Sequence, residues 1–441
     1  MEQSHWQTVI RWIVLHPERR MVLVSQREGR LVLPTSTSTG DIWLGDCPAL
    51  LEAAAGIGLD AIVLGCHELD DDHDNQLRRL TMAVTLRDRA VTVPPDTRWV
   101  PREDAAALLP PGIEEVRAGR PPWEDPRWFD DAERWLRSRL EDVGRPVTGP
   151  VAQHRSWELS SVVRAPTAAG TVWLKTSFGS RLFAQEGAVL AALSEWFPAH
   201  TPAPLARCDE QRLMLLDDLG PPLGRGAPLE TQEPVLVDFA RLQASTADRL
   251  DALRSLGLVD RGPLALGQEL GVWFPDLEAT AQLPGLDSES WLTDTETAAL
   301  RAALPRILEH CNRLAGGPVP LTLVHGDLHL GNVAAGSGRP MLFDWTDACL
   351  GHPFFDLITA LPKDEARRTR LRDAYLSAWT DHASPSRLTE LWQSVEILGP
   401  LHHAISYREI AAGCSPPIDS DMASATVDWL RSALAALERE A

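Results

Sequence analysis

Several things are scarce in this chain, and each shortage excludes a class of protein. No apolar run approaches the length that spans a bilayer, so a membrane-embedded protein is not expected. No basic segment followed by an apolar one opens the chain, and Trp12 to Leu15 is only strand length, so the expected location is the cytoplasm. The six cysteines, Cys47, Cys66, Cys208, Cys311, Cys349 and Cys414, are scattered and form no C-x-x-C pair. They read as reduced thiols. Basic residues are outnumbered, with Lys+Arg 42 against Asp+Glu 62 for a net charge of −20. A nucleic-acid partner needs a basic footprint and is not expected. The acidic surplus reads first as solubility and second as a means of attracting cationic substrates. There is no internal repeat and no low-complexity tail.

What is present fits a soluble globular chain of two or three domains: 441 residues, 44% hydrophobic and 24% charged. The stretch that organises it runs from Val324 to Leu357. It reads V-H-G-D-L-H-L-G-N-V, then a Gly336-Ser337-Gly338 turn, then M-L-F-D-W-T-D-A-C-L-G-H-P-F-F-D-L. Asp327 precedes Asn332 by five residues, and Asp344 follows an apolar run. A phosphoryl-transfer site needs this layout. One carboxylate takes the proton of the attacking hydroxyl, and an amide oxygen and a second carboxylate hold Mg²⁺ on the phosphates. Val333 to Ala335 and Met341 to Phe343 around the glycine turn predict a hairpin that brings Asn332 and Asp344 to one end, beside the loop of Asp327. His325 and His329 have a spacing that makes a zinc pair on a helix, but Gly326 and Gly331 bracket the segment and argue against a helix.

The wording H-G-D-L-H-L-G-N with F-D-W resembles the aminoglycoside phosphotransferase and choline-kinase-like family of small-molecule kinases. The same spacing occurs in the H-R-D-x-x-x-x-N and D-F-G elements of protein kinases. The resemblance implies that Asp327 is the catalytic base and that Asn332 and Asp344 hold the metal. It also implies that His325 braces the loop. Asp356 is expected to cap and brace the helix after it.

Upstream segments extend the pattern. Pro150 to Arg155 predicts a strand, and Trp157 to Ser161 a phosphate-covering turn, where Ser160 and Ser161 would offer donors to ATP; a plain hairpin turn is the alternative. No G-x-G-x-x-G occurs there. Lys175 closes the apolar strand V-W-L-K in a chain where lysine is sparse, and Glu186 follows in a helical pattern. A Lys–Glu pair of this kind clamps the α/β phosphates in kinases. Leu213 to Gly220, with Asp217 and Asp218, resembles the family's hinge, whose backbone binds adenine.

Residues 1–120 predict strands at Thr8–Leu15, Met21–Ser25, Leu31–Leu33, Ile62–Leu64 and Arg79–Leu86. A helix is predicted at Ala49–Ala55, stopped by Gly56, and another opens near Asp104. This order resembles the Nudix hydrolase fold. A working Nudix helix clusters glutamates, but Ala49, Leu50, Ala53 and Ala54 stand at those places and only Glu52 remains. One carboxylate cannot build a multi-Mg²⁺ site, so a shell without hydrolase chemistry is expected. Asp70, Asp71, Asp72 and Asp74 read as a solvated acidic loop. Pro110-Pro111-Gly112 and Arg120-Pro121-Pro122 mark a boundary. Arg127 to Asp142 predicts a bridging helix with Trp128, Trp135, Leu136 and Leu140 on one face.

The expected fold is therefore α+β. A Nudix-like α/β domain (1–120) and a linker helix (121–146) precede a protein-kinase-like bilobal fold with a mixed N-lobe sheet (147–220) and a mainly helical C-lobe (221–441). Helices at Val235–Leu250, Thr293–Leu314, Asp364–Trp379, Ser386–Ile410 and Asp421–Glu440 would wall an acceptor pocket with Trp273 to Asp276. His402, His403, Tyr407 and Arg408 read as satisfied helix residues before substrate contacts. The expected activity is ATP- and Mg²⁺-dependent phosphorylation of a hydroxyl on a small polar molecule such as an amino sugar or aminoglycoside. A pseudokinase that binds nucleotide or a partner without turnover is the competing reading.

Overall fold

A computed structural model describes residues 6–87, 93–110, 113, 120–282, 290–336, 338–414 and 420–440. Pro111, Gly112 and Ser337, used above as turn and boundary signals, lie outside the described residues. The chain divides into two compact units, Met1–Phe178 with Gly413–Asp419, and Gly179–Ala412 with Ser420–Ala441. Among the described residues no helix is long and apolar enough to cross a membrane.

The first unit opens with a mixed sheet. Strand β1 (Gln7–Leu15) pairs antiparallel with β2 (Met21–Arg27) and β4 (Thr35–Thr39), and parallel with β6 (Leu77–Leu86). Strand β3 (Arg30–Val32) and strand β7 (Thr97–Pro101) flank β2, and β5 (Ala61–Asp72) flanks β6. Alternation along β1 decides what each face buries. Ile10, Trp12 and Val14 pack with Leu50 and Ala54 of helix α1 (Cys47–Ala55), while Ile13 and Leu15 pack with Val22, Val24 and Ala105. The segment T-S-T-S-T, which carries no apolar signal, is strand β4. Its Ser36 hydroxyl accepts the Trp12 indole N–H at 2.9 Å.

Three expectations are corrected here. Asp70, Asp71 and Asp72 are not a loop; they end strand β5, where β6 presents Arg79 and Arg78 in register opposite Asp70 and Asp71. Arg78 holds Asp71 through two bonds of 2.7 Å, and Arg79 reaches Asp70 at 2.8 Å. Second, the helix expected near Asp104 is a 3₁₀ turn, Arg102–Leu108. Third, helix α2 (Trp128–Asp142) buries Phe129, Ala132, Leu136 and Leu140 rather than the two tryptophans. The unit closes with the antiparallel strands β8 (Ala152–Ser156), β9 (Ser160–Thr167) and β10 (Gly170–Ser177).

The second unit is mainly helical. It starts with α3 (Glu186–Trp196) and the hairpin β11 (Ala206–Cys208)–β12 (Leu213–Asp217), then α4 (Leu229–Ala244), α5 (Leu250–Ser255), α6 (Pro263–Trp273) and α7 (Asp294–Ala315). Thr293 and Glu296 form the expected capping box of α7. Two short antiparallel pairs follow: β13 (Thr322–Val324) with β16 (Cys349–Gly351), and β14 (Val333–Ala334) with β15 (Met341–Leu342). Helices α8 (Leu357–Ala360), α9 (Glu365–Ser377), α10 (Pro385–Gly413) and α11 (Ser420–Glu440) complete the unit. Arg431 ties α11 to α7 through Glu296 at 2.9 Å, and this bond leads in holding the Glu296 carboxyl down to about 2.

Candidate active site

The hairpin β14–β15 forms because Val333 and Leu342 are buried on both sides of a glycine turn. A backbone bond from Phe343 N–H to the Asn332 carbonyl (3.1 Å) extends it by one step. Asn332 and Asp344 are thereby held at the same end, as the sequence spacing predicts. Asp327 lies in the loop between β13 and a single 3₁₀ turn, Leu330–Asn332. The Asn332 amide donates to the Asp327 backbone carbonyl at 2.9 Å and to its carboxylate at 3.3 Å. With its nitrogen so engaged, the Asn332 amide presents its oxygen as the remaining ligand atom.

His325 is fully buried, and burial holds its imidazole pKa below the usual range. A neutral ring has one N–H. Nε2 faces the Phe343 carbonyl at 3.0 Å, so Nε2 carries the proton, and Nδ1 is left to accept from the Asp327 N–H at 3.4 Å. The ring also lies 4.6 Å from that of Trp345. His325 thus ties the loop of Asp327 to the strand end of Asp344. His329 accepts the Gly331 N–H at 3.0 Å and lies 3.5 Å from the Asp327 carboxylate.

Asp356 corrects the expectation of a helix cap. Its side chain makes no cap bond to α8. It is buried and accepts the N–H groups of His325 and Gly326, each at 2.8 Å, and the Gln243 amide at 2.9 Å. Burial pushes its carboxyl up to about 7, against those three donors, which favour the charged form. Gln243 also donates to the Leu323 carbonyl at 3.0 Å and accepts the Tyr375 hydroxyl. Sequence reasoning missed Gln243; its only signal is a polar residue on the apolar face of α4. Gly326 is required where it stands, with φ +86° and with only 2.3 Å between a built Cβ and the Asp347 carbonyl.

Among the described residues, four other than glycine have positive φ. Glu28, Gln76 and Arg212 sit in turns between paired strands, whereas Asp344 (φ +64°) follows a strand with no hairpin to make. Left-handed backbone at a non-glycine residue costs of order 1–3 kcal/mol and gathers at functional sites. The Thr346 hydroxyl lies 3.1 Å from the Asp344 carboxylate and 3.0 Å from Glu186, and its one proton serves one of them at a time. Glu186 also accepts the Trp345 N–H at 3.1 Å. Asp327, Asn332, Asp344 and Glu186 are therefore joined through a few bonds within one unit.

The remaining expected residues stand on other elements of the chain. Lys175 stands on β10 across from Val162, in the first unit. Ser160 and Ser161 begin strand β9 rather than sitting in the turn, and both are buried. The Ser160 hydroxyl takes the Trp157 indole N–H at 2.9 Å. Asp218, after β12, turns back to accept the Gly220 N–H at 2.9 Å. Beyond it, Leu223 N–H donates to the Val333 carbonyl at 2.8 Å, which sets the segment after the expected hinge against β14.

Asp327 opens on a cleft of about 1000 Å³ within the second unit. Tyr407 lines this cleft, but Trp273 and Phe274, expected to wall it, are buried in the core. Arg408 stacks over Trp273 and bonds Glu269 at 2.8 Å. Among the described residues no three His, Cys, Asp or Glu side chains form a metal-binding group.

Compared with known protein families, residues 151–391 match the phosphotransferase enzyme family APH, which is more than half of the chain. The chain belongs to this family. It is an ATP-dependent small-molecule kinase, and kinases of this family work with divalent metals. No curated protein sequence matches the chain. Solved structures similar to it include a macrolide 2′-phosphotransferase type I (16% identity, 69% of this chain, 95% of that one, TM-score 0.43). An ethanolamine kinase from Plasmodium vivax (11%, 63% and 78%, TM-score 0.47) and a choline kinase from Streptococcus pneumoniae (13%, 70% and 99%, TM-score 0.42) are further examples. At these TM-scores the likenesses add no argument to the family match.

Proposed function

We propose that this kinase transfers the γ-phosphoryl group of ATP to a hydroxyl of a small polar molecule held in the cleft beside Asp327. The single observation that carries the reading is the hydrogen bonding of the Asn332 amide to Asp327, which lines that cleft. Asp327 receives the acceptor's proton as the new O–P bond forms and the bond between the β and γ phosphates breaks, releasing ADP. The Asn332 oxygen and the Asp344 carboxylate would hold a hard cation such as Mg²⁺. Bound there, Mg²⁺ supplies charge neutralisation and phosphate alignment. Lys175 is assigned to the phosphates, Glu186 to orienting it, Ser160 and Ser161 to the phosphate-covering segment, and Asp218 to the hinge.

The first 120 residues are read as a Nudix-like shell without hydrolase chemistry, followed by a linker helix at 121–146 and lobes at 147–220 and 221–441. Supporting this, the α1 face that would carry glutamates buries Leu50, Ala53 and Ala54 in the sheet core.

Calorimetry with MgATP, followed by ADP release over a panel of amino sugars, aminoglycosides, nucleosides and hydroxy acids, tests the kinase assignment. Tight binding lost in Asp344→Ala, with release on at least one acceptor, is expected. Equal MgATP affinity in Asp344→Ala would remove the metal assignment.

A further inference from the structure

The cleft beside Asp327 carries more cationic than acidic side chains in a chain that is acidic overall. The protein carries −20 overall, and Lys175 and Lys363 are its only lysines. Yet Arg225, Lys363, Arg368 and Arg439 line this one cleft. Its carboxylates are Asp327, Glu365 and Glu396. Arg368 is engaged by Glu396 at 3.3 Å and lies over the Trp392 ring. Asp327 is bound to the Asn332 amide. Arg225, Lys363 and Arg439 are exposed, and none forms an ion pair among the described residues. They come from three separate segments: the loop before α4, the loop after α8, and the end of α11. One amphipathic element does not explain their convergence.

Beside these cations the wall is aromatic and apolar. Trp429 lines the cleft, and one face of its indole stacks on His403 with ring centroids 4.9 Å apart and planes 28° from parallel. That stack fixes the indole, and Tyr407, Ile358 and Pro400 continue the apolar surface. A ligand matching this lining has a planar or apolar body and a negative charge, with a hydroxyl near Asp327.

Resting on the phosphotransferase reading, we infer that the acceptor is an anionic hydroxylated molecule with an apolar portion, recognised by Arg225, Lys363 and Arg439 beside Trp429, and not a polycation. The local field reverses the preference that the net charge alone would give.

Three 4-nitrophenyl β-D-glycosides that differ mainly in charge test this on the full chain: the glucuronide (anion), the glucoside (neutral) and the 2-amino-2-deoxyglucoside (cation). Binding is measured by calorimetry at low salt with a non-hydrolysable ATP analogue and Mg²⁺. The glucuronide is expected to bind about tenfold or more tightly than the amino sugar, as several exposed pairs together allow. Added salt should shrink the gap. Arg225→Glu/Lys363→Glu/Arg439→Glu should invert the order, and the triple glutamine variant should level it, with unchanged thermal midpoints as the folding control. The inference is overturned if the amino sugar binds as tightly as the glucuronide, if the preference survives both triple variants, or if none of the three binds. ADP release separates the two claims. A glucuronide that binds in a charge-dependent way without ADP release with any of the three supports charge selection and overturns phosphotransfer. Preferential ADP release with the amino sugar supports phosphotransfer and overturns charge selection.

Discussion

Two groups of aspartates in this chain are handled in opposite ways. On β5, Asp70 and Asp71 face guanidinium groups from the neighbouring strand, so each negative charge is met by a positive one. In the second unit, Asp356 is held by backbone N–H groups and an amide, and Asp327 by an amide beside an imidazole. Neutral donors orient a carboxylate without cancelling its charge, whereas an arginine does both. An acidic cluster in a sequence is therefore uninformative until its partners are known. The β5 aspartates hold strands in register, and those of the second unit hold the loop of Asp327 in a defined place.

The sharpest way to break this contrast is at Asp327. Asp327→Asn keeps the size and much of the hydrogen bonding but removes the proton acceptor. Turnover on a verified acceptor should fall about 10²–10⁴-fold, the range of general-base and positioning roles. MgATP affinity by calorimetry should stay near that of the parent. Turnover equal to the parent's would make Asp327 a structural residue like those on β5.

Next comes Asp356→Ala. It strips the acceptor from two buried backbone N–H groups and from the Gln243 amide. Unsatisfied buried donors cost roughly 1–3 kcal/mol each, so a loss of about 3 kcal/mol or more is expected by urea unfolding. A loss under about 1 kcal/mol would mean that water replaces the carboxylate and that the site is looser than its geometry.

The β5 pairs should matter less. Asp71→Asn weakens a two-bond contact whose side chains are 15% and 11% exposed, while Arg78 keeps Asp41 at 2.7 Å. A stability loss of about 1–2 kcal/mol with unchanged kcat is expected. Asp70→Asn removes an exposed pair and should fall within about 0.5 kcal/mol of the parent by the same urea titration. If kcat fell with either variant while the fold stayed intact, the division between structural and functional aspartates would not hold.

What was legible in the sequence was local. Asp327, Asn332 and Asp344 lie within eighteen positions, and a glycine turn between two apolar pairs determines how they meet. Helices α7, α9, α10 and α11 were readable from spacing and caps, with their ends within a few residues. What was not legible depends on partners far along the chain. Gln243 serves Asp356 from 113 positions away. Asp70 and Asp71 become strand because Arg79 and Arg78 stand opposite, and T-S-T-S-T becomes strand because β1 offers it an edge. The cleft cations come from three segments that no single window spans.

Helix α11 has a consequence for the order in which the protein is made. Synthesis delivers the chain from its N-terminus, and domains fold as units. The loop of Asp327 and the hairpin of Asn332 and Asp344 are complete well before residue 420 leaves the ribosome. Trp429, Ser432, Ala435 and Arg439, one wall of the cleft, arrive after these, and the Arg431–Glu296 bond to α7 forms only then. A nascent chain halted before α11 would carry the whole loop of Asp327 and lack one wall of the cleft beside it.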